Sequence, residues 1–370
     1  MWVQFNGSSR DVAMCKFRLC QHKDHFILVT IVVPPLNLGV DFLNVHFVCK
    51  TNGRRAGAIA TKEFVYWDFF KPFLTKDALL VTANLSELID YEIVQVPDGE
   101  NIAMAIDDQI ITLEFGFSES LPPHMNIVVP SRITLPFPSS EHILRIAGPI
   151  GLNGFLTSGA SWFYNLKELV RRYVGRELVE LDAVLDWGCG CGRILRHALE
   201  SGITNVRGVD IDDLNIRWLC EKFPQGSYVR TNFDPPLPYS GEAFDVVFGH
   251  SVFTHLAKAD QDLWLEEISR VLKKGGYAFV TVATELGTYL AHHSEIEHNS
   301  RACSQFVEEG IAVLGEQSVG VDVGRDSYYK LTCHSTPFVM REWSKYLEVC
   351  RVIRSFAEHQ DLVVLRRSVA

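Results

Sequence analysis

No stretch of this chain is apolar for long enough to cross a bilayer, because a spanning helix needs about 20 such residues. The most apolar segment, 26–33, stops at Pro34-Pro35. The opening Met-Trp-Val-Gln-Phe-Asn-Gly lacks the charged start, apolar core and small-residue cleavage site of a secretory signal, so a cytoplasmic protein is expected. Positive charge is scarce as well. Lys and Arg number 35 against 45 Asp and Glu, for a net charge of −10, and basic residues never run beyond a pair such as Arg54-Arg55 or Arg366-Arg367. That argues against nucleic acid as a partner, since its binders present a basic face. Low-complexity tracts and internal repeats are missing. The nine cysteines are odd in number and follow no repeating frame, which fits a reduced protein better than a disulfide scaffold. Cys15 and Cys20 find no second pair at matching spacing, so no metal site is expected.

What is present is the composition of a globular protein, 47% hydrophobic and 22% charged, in 370 residues, a length that suggests two domains. Residues 14–20, 26–33, 44–49, 64–70, 79–84, 91–96 and 110–117 are short, rich in β-branched and aromatic residues, and separated by turn signals such as Asn52-Gly53. This spacing predicts an all-β, sandwich-like domain over 1–120, a candidate surface for homo-oligomer contacts. Residues 121–144 are proline-rich and read as a linker. From 145 to 370 helical patterns alternate with apolar strands, the rhythm of a doubly wound parallel sheet. Strands are expected at 184–187, 206–211, 227–230, 244–249 and 277–283, with a closing pair near 347–353 and 362–365, seven in all. A helix is expected over 161–174, and the long insertion 284–335 reads as a lid or acceptor-recognition segment.

The chemistry concentrates in Asp186-Trp187-Gly188-Cys189-Gly190-Cys191-Gly192, between a strand and a helix. Glycines there let a ligand lie against bare backbone, and an acid at the strand end pairs with a cationic amino group. S-adenosylmethionine offers that group, and it carries no phosphate. A dinucleotide fingerprint wants G-x-G-x-x-G, whereas here Arg193 occupies the place of the last glycine. Asp210, one crossover after Asp186, ends the second strand, where an acid accepts ribose hydroxyls.

With both acids and the loop in these contexts, residues 145–370 resemble the class I S-adenosylmethionine-dependent methyltransferases. The resemblance implies that Asp186, Gly188, Cys189, Gly190 and Gly192 form the cofactor loop, that Asp210 binds the ribose, and that Ile211 packs on the adenine. Asn232 stands where that family often has an acid facing the adenine amino group, with Phe233 beside it. The segment after the fourth strand, carrying His250, Ser251 and His255, is expected near the methionine end. His250 and His255 are the candidate catalytic bases, because imidazole titrates near neutral pH; His250 and Ser251 are also candidate cofactor contacts. Gly159 and Tyr164 are weaker candidates for closing over the cofactor, and Tyr328, Tyr329 and His334 for touching an acceptor. His292, His293, His298 and His334 follow no metal-ligand spacing. The expected activity is methyl transfer to oxygen or nitrogen of a small molecule or glycan. The competing reading is an S-adenosylmethionine-binding protein without turnover, whose β half mediates interactions.

Overall fold

The computed structural model describes residues 14–22, 25–33, 45–59, 79–96, 100–115, 127–131, 133–148, 150–283, 300–316, 329–357 and 360–369. In the first third the strands are β1 (Met14–His22), β2 (His25–Val33), β3 (Val45–Cys49), β4 (Arg55–Ala56), β5 (Ala58–Ile59), β6 (Leu79–Asn84), β7 (Tyr91–Gln95), β8 (Asn101–Ala105), β9 (Gln109–Phe115) and β10 (Ile127–Val129). They form two antiparallel four-stranded sheets, ordered β1-β2-β6-β5 and β10-β9-β3-β4, and a separate β7-β8 hairpin. The chain passes from one sheet to the other at Gly57, between β4 and β5, with φ of 147°. Leu19, Phe26 and Leu28 of the first sheet meet Phe47, Cys49 and Ile111 of the second in one buried cluster. The expected strand at 64–70 lies outside the described residues, and β8 carries too little β-branched character to stand out.

The 121–144 stretch is not only a linker. β10 pairs with β9, and helix α1 spans Ser140–Ala147. Its prolines, Pro130, Pro136 and Pro138, bracket these elements rather than interrupt them, as their missing N–H requires. Next comes α2 (Gly151–Leu169), which continues as a π-helical turn over Val170–Val174. It begins ten residues before the expected 161, because Gly151, Gly154 and Gly159 weaken the helical signal while packing supplies the stability. Gly159 is where α2 crosses the chain after the glycine loop: an added Cβ would lie 2.1 Å from the Arg193 carbonyl oxygen.

The remaining elements are β11 (Val184–Trp187), α3 (Leu195–Glu200), β12 (Val206–Asp210), α4 (Asp213–Lys222), β13 (Ser227–Arg230), β14 (Phe244–Gly249), α5 (Lys258–Val271), β15 (Leu272–Ala283), α6 (Ser300–Glu309), β16 (Ile311–Glu316), β17 (Lys330–His334), α7 (Thr336–Glu342), β18 (Glu348–Ala357) and β19 (Gln360–Arg366). The expected seven-stranded sheet has nine strands. Its path runs β13-β12-β11-β14-β15, then β19 and β18 beyond β15, and β17-β16 joins at the end of β15. The surplus pair comes from the expected lid, whose two described strands are thus built into the sheet. At Ala283, β15 pairs with Gln360 of β19 on one side and with Cys333 of β17 on the other. A strand has only two such sides. β17 therefore occupies the side that β14 held up to its last pair, Gly249 with Val280, and extends the sheet past the C-terminal edge. Central strands are buried on both faces, with Val184, Leu185, Val246, Val247, Phe279 and Val280 at 0% exposure, as a sheet covered by helices on both faces requires.

The N-terminal sheets and the α/β part meet along α2. Asn153 donates from Nδ2 to the Asn101 carbonyl at 2.7 Å and accepts the Ala103 N–H at 3.1 Å. Ser161 Oγ accepts the Val128 N–H at 2.9 Å. Arg196 of α3, fully buried, donates to the carbonyls of Leu135 and Pro136, both at 2.9 Å, amid Phe137, Phe155 and Phe223. Replacing Gly159 by Ala is expected to cost about 1–3 kcal/mol of unfolding free energy through overpacking, because the clashing atom is backbone and α2 must shift. Denaturant melts of the two proteins measure it.

Candidate active site

β11 ends at Trp187, and Gly188, Gly190 and Gly192 turn the chain into α3 with φ of 79°, 53° and 79°. All three need glycine for space as well as for φ. A Cβ on Gly188 would sit 2.5 Å from Val252 Cγ2, and one on Gly190 would sit 2.7 Å from Ile146 Cγ2. Gly190 thus lets α1 close down on the loop. The loop is tied to the next strand, with the N–H groups of Gly188 and Cys189 both donating to the Val209 carbonyl at 2.8 and 3.0 Å. Cys189 and Cys191 point into the protein. Burial pushes the Cys189 thiol far above its ordinary range and that of Cys191 up to about 12, so neither thiol is a nucleophile.

Asp186 is 2% exposed, and its Oδ2 has no hydrogen-bond partner among the described residues. Burial, and then the neighbouring Asp210, hold its carboxyl well above the usual carboxylate range, against the pull of Arg193. Asp210, half-buried at the end of β12, accepts the Gly190 N–H on Oδ2 at 2.7 Å and the Asp212 N–H on Oδ1 at 2.8 Å. Burial raises it to about 6, and those same N–H bonds limit the rise. A carboxylate oxygen retains further acceptor capacity after one bond. Two acids, one of them with an orphaned buried acceptor, form a site that favours a cationic ligand bearing donors. The amino and ribose hydroxyl groups of S-adenosylmethionine fit it, and a pyrophosphate does not.

Sequence reasoning missed the cover of this site. Arg145 of α1 donates to Asp212 Oδ2 at 2.6 Å, Asn215 donates to the same oxygen at 3.1 Å, and His142 Nδ1 meets Asn215 Oδ1 at 2.7 Å. α1 is thereby clamped beside Asp210. The only local signal was Asp212 as the N-cap of α4. Ile211, next to Asp210, packs against the main core. Phe233 is half-buried, its carbonyl accepting from Trp264 Nε1 at 3.3 Å, while Asn232 is exposed.

The two candidate bases differ. His250 lies at the end of β14, stacked on Trp162 with ring centroids 5.4 Å apart, and its Nδ1 is 2.7 Å from Arg193 Nη2. A guanidinium has only donors, so Nδ1 must be the acceptor and the ring is neutral with its proton on Nε2. His255 sits in a short helical turn, Phe253–His255, with Nδ1 3.0 Å from the Lys330 carbonyl. A carbonyl only accepts, so Nδ1 carries the proton and Nε2 keeps its lone pair. Burial lowers the His255 pKa, only partly offset by that hydrogen bond, so the ring is a neutral base at pH 7. Tyr329 packs edge-on against it at 5.2 Å.

Ser251 has φ of 64°, unusual for a residue other than glycine. His334, at 0% exposure, bonds Gln261 at 3.0 Å within the core, and burial lowers its pKa to about 3; it faces no acceptor. Gly159 serves helix packing, and Tyr164 is half-buried on α2. His292, His293, His298 and Tyr328 lie outside the described residues. Among the described residues no three metal-ligating side chains converge, and no helix is long and apolar enough to cross a membrane.

Residues 185–280 match the family model described as a methyltransferase domain. The matched segment contains the glycine loop, Asp210, His250 and His255. It bears out the enzyme class and the cofactor read from the loop: a methyltransferase domain that takes S-adenosylmethionine. The chain is also 31% identical over 109 residues to a ubiquinone biosynthesis O-methyltransferase of Sinorhizobium medicae, across 28% of this chain and 42% of that protein. It thus spans less than half the length of that relative. Among solved structures it is similar to an S-adenosylmethionine-dependent methyltransferase of Methanosarcina mazei, with 17% identity, a TM-score of 0.40, and coverage of 55% of this chain and 98% of the other. A Mesorhizobium loti methyltransferase gives 15%, 0.39, 56% and 98% in the same order.

Binding of a cationic cofactor requires Asp186 ionised. Affinity for S-adenosylmethionine is therefore expected to fall as pH drops and Asp186 takes up a proton, with Asp210 gaining its own at about 6. The ligand-free protein moves the other way. Both acids have raised folded-state pKa values, so their contribution to stability is complete below the ordinary carboxylate range and is lost as pH rises, for Asp210 through about 6. Calorimetric titration and thermal melts from pH 5 to about 8 check both signs, and Asp210→Asn should flatten both curves.

Proposed function

We propose that this chain catalyses S-adenosylmethionine-dependent methyl transfer to oxygen or nitrogen of a small molecule or glycan. Residues 145–370 form the catalytic domain, 121–144 the connection, and 1–120 a β-rich accessory domain. The observation that carries this reading is Asp186 Oδ2, a buried acceptor left unpaired at the end of β11. Such an atom costs free energy unless a ligand supplies the donor. When bound, S-adenosylmethionine supplies a methyl group already activated by its sulfonium.

The protein's share of the chemistry is alignment and proton removal. Asp186 holds the amino group and Asp210 the ribose hydroxyls. Ile211, Phe233 and Asn232 face the adenine side. His250 has its Nδ1 lone pair committed to Arg193 and acts as a donor from Nε2 toward the cofactor. His255 is the base: its Nδ1–H is oriented by the Lys330 carbonyl, and its Nε2 accepts the proton of the acceptor's hydroxyl or amine. The same logic orients a catalytic imidazole through the hydrogen bond on its other nitrogen. Tyr329, against the His255 ring, lines the acceptor side. The accessory domain braces α2, the helix that stacks Trp162 on His250.

Calorimetry with S-adenosylmethionine and S-adenosylhomocysteine tests the cofactor, and a chain that binds neither at high micromolar ligand overturns the proposal. Incubating extracts with labelled methyl donor then identifies the acceptor. With that acceptor, His255→Ala is expected to lower kcat by about 10²–10⁴ while cofactor affinity stays within about twofold.

A further inference from the structure

Where β14 leaves the sheet, Ser251, Thr281 and Gln360 close a hydrogen-bonded ring, with Thr254 attached to it at Ser251, that the proposed reaction does not use directly. β17 takes over the side of β15 beyond Val280, so the backbone N–H of Ser251 has no strand partner. It donates instead to Thr281 Oγ1 at 2.7 Å. Thr281 Oγ1 donates to Gln360 Oε1 at 2.6 Å, and Gln360 Nε2 donates to Ser251 Oγ at 2.8 Å. Thr254 Oγ1 donates to the Ser251 carbonyl at 3.0 Å, so the remaining 3.1 Å bond runs from Ser251 Oγ–H to Thr254 Oγ1. Every hydroxyl proton has one direction, and the ring starts and finishes on Ser251. Thr281 is 0%, Thr254 2% and Gln360 6% exposed, so water does not compete. The Gln360 amide supplies both functions, accepting from Thr281 with its oxygen and donating to Ser251 with its nitrogen.

Ser251 is also the residue in the left-handed region, φ 64°, a conformation that side chains other than glycine adopt only when their surroundings enforce it. We propose that Gln360 and Thr281 are positioning residues: they hold Ser251 in that conformation and thereby aim His250 and His255, which flank it, at the cofactor and the acceptor. Gln360 reaches the loop from the closing strand, 109 residues away in sequence. The inference rests on the methyltransferase reading of the site.

Thr281→Val removes the hydroxyl at nearly constant shape, Thr281→Ser keeps it, and Ser251→Gly removes the need for enforcement, because glycine adopts positive φ freely. Binding of S-adenosylhomocysteine by calorimetry is compared with the melting temperature of each ligand-free protein. Thr281→Val is expected to weaken binding about tenfold, Thr281→Ser by no more than about twofold, and adding Ser251→Gly to Thr281→Val should recover most of the loss. A merely structural ring would lower the melting temperature of Thr281→Val and leave its affinity at the wild-type value; that result overturns the proposal, as does a double variant no better than Thr281→Val. If the wild type itself binds no S-adenosylhomocysteine, the methyltransferase reading fails instead. Should Thr281→Val not fold, Gln360→Met removes both Gln360 bonds but leaves that between Ser251 N–H and Thr281, and should weaken binding in the same direction; wild-type affinity there overturns the proposal.

Discussion

A carboxylate at the buried end of the central strand is expensive in a protein interior, and Asp186 is placed there with one oxygen unpaired. Its neighbour Asp210 adds repulsion, and Arg193 relieves only part of it. The surrounding geometry accommodates that tension. Three glycines with positive φ carry the chain around the acids without side chains in the way, and the loop N–H groups bond the Val209 carbonyl and Asp210. The result is a concentration of negative charge with an unpaired buried acceptor at the end of β11, an arrangement that a cationic donor would relieve.

The second constraint lies at the sheet's C-terminal edge. β14 ends at Gly249, where an added Cβ would press on Trp187 Cε3 at 2.9 Å, and the insertion strand β17 continues along β15 in its place. This substitution has two effects. It brings the Lys330 carbonyl to His255 and so fixes which nitrogen of that ring is basic. It also deprives Ser251 of a ladder partner, which side chains from β15 and β19 then replace. The strands added to the sheet are therefore part of how the 250–255 segment is held.

The β-rich part contributes from the other side. Its β7–β8 hairpin shares a buried cluster with α1, α2 and Cys191 of the glycine loop, through Val96, Ile102, Ile143 and Phe155. Asn153 and Ser161 bond its backbone. α2 then passes Arg193 at Gly159 and stacks Trp162 on His250. The glycine loop and the 250–255 segment are thus both leaned on by elements that precede the α/β alternation.

The sequence by itself determined the parallel sheet core, the glycine loop and the two acids, because each rests on local physics: apolar strands buried on both faces, glycines needed for positive φ, and an acid one crossover after another. It could not show β17 in the sheet or α1 over the loop, since those depend on pairings between residues distant along the chain, such as Ala283 with Cys333 and Ile146 with Gly190. Nor could it separate His250 from His255. Both are imidazoles in one short segment, and only the tertiary structure distinguishes them, by giving one a guanidinium and the other a carbonyl at Nδ1. A donor beside Nδ1 occupies the lone pair there, whereas an acceptor leaves the lone pair on Nε2, and that difference is made by residues 57 and 75 positions away.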